Sequence, residues 1–439
     1  MIYDPHTVRP ISTSSKADAH NIIKKNFLNK ETQEAIHPHI GVLITDMSKL
    51  LVSVRPFDAK VNADLLDKTV GGHLPAGHEN AAAILEVATR ELQVPIAVVT
   101  NKELLDIILV HPGLLTRQAF ISEVGYSDSF ISKRITEEDS YDERCIQYIY
   151  TGVYNGPYKC EKGSGIRTFS IEGLQKYIKK FPERVTEDLK IIIKDYLPQL
   201  KSLFESTKKA LSSNQTKEVV EIKEMNGSFA GVEDRKSIHQ EIKENFQNKT
   251  PQKFKHSHIG GMLVASGGEV YVQIRSDDKK ENPGKYDKIV GGHIPAGDTP
   301  IVAAYHEFID EMSIPIGMYD ESVCINILEN CPDTTKTQAI CQKPILTKDF
   351  KSKRVQKDGK HFIEICDQYF LVGYYDGPFK LTDDEAGGMY QFPNRNLLKE
   401  ALDKNPEKFT DDLKHMIELF WDDLIPVKEK LKAKIIDNG

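Results

Sequence analysis

Glu307, Asp310 and Glu311 occupy positions i, i+3 and i+4 of one short segment, a spacing that puts three carboxylates on one face of an α-helix. Like charges so placed repel, and a cation offsets the repulsion. Oxygen-only donors suit Mg²⁺ or Mn²⁺ rather than zinc. An ion held there can bridge phosphate oxygens, offset developing charge and lower the pKa of a bound water. The chemistry implied is that of phosphate groups. Because an isolated E-x-x-D-E is also common on solvated helix faces, its surroundings decide how it is read.

Those surroundings are ordered. Gly292, five residues, Asp298, seven residues and then His306-Glu307-Phe308-Ile309-Asp310-Glu311-Met312-Ser313-Ile314 follow one another without a gap. This run resembles the Nudix box, G-x5-E-x7-R-E-U-x-E-E-x-G-U, with U aliphatic. The frame is complete and the identities differ: Asp298 and Asp310 stand for Glu, His306 for Arg, Ser313 for Gly, and Phe308 is aromatic. The resemblance implies that Glu307, Asp310 and Glu311 hold the metal, that Glu307 orients or deprotonates water with Glu311 as its catalytic partner, and that Gly292, Asp298 and His306 support the box. His306 can replace the box arginine only when protonated, which makes its contribution pH-dependent.

A narrower likeness follows. His256-Ser257-His258-Ile259-Gly260, Val272 to Arg275, Pro283 to Asp287 before Val290-Gly291-Gly292-His293, and Pro406 to Thr410 resemble the Nudix branch close to isopentenyl-diphosphate isomerase. In that isomerase a cysteine before the Gly-His pair transfers a proton. Here the position is Gly291, which carries no acid or base, while His258, His293 and Glu364 fall near positions that bind metal in the isomerase. Arg275, Lys279, His293 and Glu364 are the candidate substrate contacts. Each has a plainer reading: His293 hydrogen-bonds its loop, His256 and His258 are satisfied within a strand, Arg275 and Lys279 face solvent, and Cys366 is a buried small hydrophobe.

The segment also has a twin. Lys68 to Ala97 and Lys288 to Gly317 are versions of one sequence, and His37, His39, Arg55, Asp67, His73 and Glu91 recur as His256, His258, Arg275, Asp287, His293 and Glu311. A repeat of this length is a whole domain, so residues 1–212 and 213–439 read as two like domains, joined through the polar stretch Ser206 to Lys217. In the first copy the box positions are Gly72, His78, Glu86, Val87, Arg90 and Glu91. Val87 removes one ligand and Arg90 brings a cation, so metal at the box is disfavoured; Glu86 and Arg90, at i and i+4, can pair instead. The first domain reads as catalytically silent, with ligand binding, support of its partner domain or dimerisation open to it.

The elements that must position these residues follow from periodicity. Ala17 to Asn29 and Asp234 to Asn248 are helix-compatible openings. Glu218 to Ile222 reads as a strand, and Ile259 to Ala265 and Glu269 to Arg275 as a hairpin about Ser266-Gly267-Gly268. Val302, Tyr305, Phe308, Ile309 and Met312 recur at helical spacing, predicting a helix over Pro300 to Met312 capped by Asp298 or Thr299. β-branched and aromatic residues mark Ile325 to Leu328 and Gln368 to Tyr375 as extended, and helical patterns close the repeat over Arg395 to Asp403 and Phe409 to Leu431, broken at Pro426. The expected fold is α/β: two tandem Nudix-like α/β/α sandwiches with mixed sheets.

With 39% apolar and 28% charged residues in a chain of 439, there is material for two ordinary cores. A net charge of −7 argues against duplex nucleic acid as a partner. The six cysteines form no CxxC pair, so reduced thiols are expected. No membrane span or signal peptide is evident, and a soluble cytoplasmic protein is expected, with a homodimer open to it. The leading functional expectation is a Mg²⁺- (or Mn²⁺-) dependent hydrolase of a small-molecule diphosphate in the second domain. A non-catalytic nucleotide or phosphometabolite binder is the alternative, and an isomerase of allylic diphosphates the third.

Overall fold

The computed structural model describes residues 2–3, 10–12, 16–29, 37–159, 165–212, 219–379 and 386–437. The chain divides into two compact units, Met1–Asn214 and Gln215–Gly439. Cys160, Glu218 and residues 213–217 of the expected junction lie outside the described residues, and the earlier part of that junction is helical within Leu197–Ser212. No described helix is long and apolar enough to cross a membrane. The described cysteines, Cys145, Cys324, Cys331, Cys341 and Cys366, are buried and in no disulfide among the described residues.

The C-terminal unit is mixed α/β. Its larger sheet runs Tyr286–Asp287, Val270–Arg275, Ser257–Val264, His361–Tyr374, Ala339–Gln342 and Ile316–Tyr319, with Val290–His293 paired to Ser257–Val264, Ile345–Val355 to His361–Tyr374 and Ala386–Phe392 to Val270–Arg275. Ser257–Val264 is the pivot. It lies parallel to His361–Tyr374, placing His258 beside Gln368, and antiparallel to Val290–His293, placing His258 opposite His293. His256, just before this strand, and His258 within it are two residues apart and share a face. Gly261 on this strand admits the ring of buried Phe308, whose Cζ would lie 2.4 Å from a β-carbon there.

The helix Pro300–Met312 forms as its periodicity predicts. Thr299 caps it, accepting a hydrogen bond from Val302 N at 3.2 Å, and Pro300 takes the first position, where no N–H is needed. Ser313 ends it in the left-handed conformation, φ 52°, which accounts for the glycine that the box pattern has here. Val302, Tyr305, Phe308, Ile309 and Met312 are buried. Helix Arg235–Gln247 is capped by Asp234, which accepts from Lys236 and Ser237 N–H.

One element differs from expectation. Ile325 to Leu328 lie in the helix Glu321–Asn330, because Cys324, Ile327 and Leu328 share a helical face and all three are buried; burial overrides the β-branched preference. The closing helices are Arg395–Lys404, Asp411–Leu419 and, beyond Pro426, Val427–Asp437.

The N-terminal unit is also mixed α/β. Pro38–Thr45 pairs in parallel with Ser140–Val153, His39 beside Gln147, and antiparallel with Val70–His73, His39 opposite His73. The box-equivalent helix is Asn80–Glu91. The pairings around its histidines follow the same registers as those of the C-terminal unit.

Candidate metal centre

The registers bring the histidines together. In the C-terminal unit His239, His256, His258 and His293 each present a ring nitrogen, and these ligand atoms all lie within 4.8 Å of one another. His239 Nε2 is 2.9 Å from His293 Nε2 and 3.3 Å from His256 Nε2, and His256 Nε2 is 2.7 Å from His258 Nε2. Glu364 Oε1 faces the group, 3.3 Å from His256, 3.5 Å from His239 and 3.6 Å from His258. Glu364 comes from strand His361–Tyr374, His239 from helix Arg235–Gln247, His293 from the end of its short strand.

Burial, first of all, lowers the pKa of every ring: His258 and His293 well below the ordinary value, His256 down to about 4, and His239 less. Neutral imidazole is the ligating form. Burial would raise Glu364, but Arg354 and the surrounding histidines hold it down to about 2. Arg354 does so through Nε and Nη2, each 2.9 Å from Glu364 Oε2, while Oε1 is buried without a hydrogen-bond partner. A buried carboxylate oxygen without a hydrogen bond, ringed by neutral nitrogens, is costly unless a cation is bound. The residues fit a divalent ion, and a donor set dominated by imidazole favours zinc or another late first-row metal over Mg²⁺.

The box carboxylates are arranged differently. Asp310 Oδ2 is 2.9 Å from His306 Nε2 and its side chain is 59% exposed. Glu311 Oε2 accepts from Gly291 N at 3.3 Å. Glu307 rests on Gly292, where a β-carbon would meet its Oε1 at 2.2 Å. The three are not among the side chains whose ligand atoms converge within 4.8 Å of one another: Asp310, the outermost, turns along the helix to His306. Glu307 and Glu311 instead lie against the two glycines that precede His293, Glu307 on the strand face opposite the His293 ring.

Of the other expected residues, Arg275 pairs within its own unit, with Nη1 2.8 Å from Asp287 and Nε donating to Glu281 O. Lys279 lies in the turn after strand Val270–Arg275, its N–H donating to Ser276 O. Asp298 lies in the loop before the box helix, its N–H donating to Pro295 O, and the capping role belongs to Thr299. His256 and His258 are not satisfied by their strand alone, and His293 and Glu364 join them. His239 and Arg354 were not expected. The signal for the first was available: His20 and His239 occupy matching places in the two opening helices.

The N-terminal unit holds a second group, His37, His39, His73 and Glu143, with one ligand atom each within 4.8 Å. Its box lacks the carboxylate over the loop: Val87 Cγ2 would lie 2.8 Å from a β-carbon on Gly72. Arg90 pairs with Glu86 at 3.8 Å and with Glu91 at 3.3 Å.

No family model matches the chain. It is 36% identical over 55 residues to Nudix hydrolase 3 of Arabidopsis thaliana, a match spanning 12% of this chain and 7% of that protein's length. Among solved structures, the protein DR0079 of Deinococcus radiodurans is 14% identical, with 46% of this chain and 98% of that one covered and a TM-score of 0.32. The bifunctional NMN adenylyltransferase/ADP ribose pyrophosphatase of Francisella tularensis is 17% identical, with 42% and 47% covered and a TM-score of 0.25.

Proposed function

We propose that the C-terminal unit is a divalent-metal-dependent hydrolase that cleaves a diphosphate linkage in a nucleoside diphosphate derivative or related metabolite. The observation that carries this reading is the convergence of His239, His256, His258, His293 and Glu364, with His293 on the same short strand as Gly291 and Gly292, the glycines against which Glu311 and Glu307 lie. A metal bound by the four histidines and Glu364 supplies charge neutralisation for phosphate oxygens and a lowered pKa for water. The chain's own groups do the rest. Glu307 orients water and accepts its proton, and Glu311 fixes the Gly291 amide. The short stretch of 36% identity to a Nudix hydrolase supports the same reaction class. Mg²⁺ or Mn²⁺ remains the natural ion for any site at Glu307 and Glu311 themselves. The N-terminal unit, with Val87 in place of the carboxylate, is proposed to be non-catalytic.

The test is turnover. Purified protein and its Glu364→Gln variant are incubated with nucleotide sugars, dinucleotides, nucleoside triphosphates and prenyl diphosphates, with Zn²⁺, Mn²⁺ or Mg²⁺ and with chelator. Metal-dependent release of a phosphorylated product by wild type, lost in the variant, is expected. A protein that binds metal and turns over no member of the panel overturns the hydrolase reading.

The Asp310–His306 pair favours one second reading, a phosphometabolite-binding module without turnover. It predicts a ligand-induced rise in melting temperature that Glu307→Gln leaves intact. An isomerase gains no support, because the group beside Gly291 is the Lys288 ammonium rather than a thiol.

A further inference from the structure

Besides His239, one contact distinguishes the described residues of the two histidine clusters. In the N-terminal unit Arg134 donates from Nε to Glu143 Oε2, and its Nη2 lies 3.2 Å from His39 Nδ1. A guanidinium is always charged and has only donors. His39 Nδ1 must therefore be the acceptor. A doubly protonated ring would turn an N–H against the arginine, so the ring is the neutral tautomer with its hydrogen on Nε2. That hydrogen points at His37 Nε2, 2.8 Å away, and closes an ordinary hydrogen bond. The nitrogen an ion would need as a lone pair is a donor.

Arg354, at the matching place in the C-terminal unit, makes no such contact. Its Nε and Nη2 both go to Glu364 Oε2, and Nη1 is 3.6 Å from Asp412 Oδ2. Among the described residues, no arginine donor reaches His258 Nδ1, so the His258 hydrogen can sit there and leave Nε2 open. Metal-ligating histidines have this arrangement, with the outer nitrogen as donor.

We infer that the protein carries one metal per chain, in the C-terminal unit, and that Arg134 excludes metal from the N-terminal cluster by fixing the tautomer of His39. The inference rests on the C-terminal centre proposed above and adds that the two clusters, which share three matching histidines and a glutamate, are unlike in function. Arg134 acts as a specificity-determining residue through His39 rather than by touching a ligand.

The test is a metal count on the full chain. Protein stripped with chelator, loaded with Zn²⁺ and desalted is analysed by elemental mass spectrometry, and Co²⁺ loading gives an absorption spectrum as a second readout. One equivalent in wild type and none in His258→Ala/His293→Ala is expected. Arg134→Met, which removes the donor, is expected to bind a second equivalent with its own Co²⁺ band. Two equivalents in wild type, or one that persists in the double variant, overturn the inference while leaving a metal centre in the protein. No metal in wild type overturns the C-terminal centre itself. If folded Arg134→Met, checked by circular dichroism, still binds one, Arg134 is not the determinant. If that variant does not fold, the wild-type and double-variant counts decide the number of sites, and nitrogen NMR of the wild-type imidazoles decides the tautomer: a His39 ring with its hydrogen on Nδ1 overturns the role of Arg134.

Discussion

Lys288 lies across the backbone of Gly291: a β-carbon built on that glycine would meet Lys288 Cε at 2.1 Å and Nζ at 2.9 Å. The same side chain passes Gly260, where a β-carbon would lie 2.6 Å from Cδ, and ends 2.8 Å from Asp412. In the N-terminal unit Lys68 passes Gly71 and Gly41 in the same way and ends 2.9 Å from Asp188. The glycines are there because a buried lysine occupies the volume their side chains would need.

Gly291→Cys therefore does not supply the thiol of an isomerase. The new side chain must displace Lys288 from Asp412, and breaking a buried ion pair costs about 3–5 kcal/mol. Urea unfolding is expected to show a loss of that order, and proton exchange into isopentenyl diphosphate is expected to stay at background. A variant as stable as wild type that catalyses the exchange contradicts the packing argument.

Asp412 joins the pair to the metal centre. It accepts from Ser352 Oγ at 2.6 Å and lies near Arg354, which holds Glu364. Burial would raise its pKa, but Lys288 and Arg354 hold it far below the usual carboxylate range. A folded value below the unfolded one means that the stabilisation is present above about pH 4 and is lost as pH falls through and below it. Asp412→Asn should cost about 3–5 kcal/mol at pH 7 and much less near pH 2.5, where wild type has begun to lose the same contribution. Urea midpoints at the two pH values test this; an equal difference at both would exclude the electrostatic origin.

This network explains why the sequence revealed the fold more readily than the centre. The helix Pro300–Met312 declared itself because apolar periodicity and caps are local signals. His256 and His258 were visible as an i, i+2 pair, but their meaning depends on a parallel strand about a hundred residues later that delivers Glu364. His239 needed the packing of a helix that its own sequence does not specify. Asp310 poses the opposite problem, since spacing on a helix puts carboxylates on one face but does not reveal that His306, one turn back, offers a partner.

Metal-stripped protein should lose stability between neutral and mildly acidic pH. Burial, opposed by Glu364, depresses His256 to about 4, below the unfolded value of about 6.5. The folded state therefore binds fewer protons, and stability is full above pH 6.5 and declines as pH falls toward 4. For His256 alone the loss over that window is on the order of 3 kcal/mol, and His258 and His293, lowered for the same reason, add to it. Chemical denaturation from pH 7.5 to 4.5 checks the slope, and His256→Phe should flatten it. A pH-independent midpoint would mean that the rings are solvated or already protonated.

Glu307→Gln separates the two places where negative charge could serve the reaction. The carboxylate packs on Gly292 and is not one of the groups that converge with the histidines. Loss of a general base lowers turnover by about 10²–10⁴-fold. Zinc content should be unchanged, because the nitrogens and Glu364 remain. His258→Ala has the opposite signature, in which metal is lost and turnover falls with it. A Glu307→Gln protein that loses its zinc would move the metal centre onto the acidic helix, and one that keeps both metal and full turnover would remove Glu307 from the chemistry.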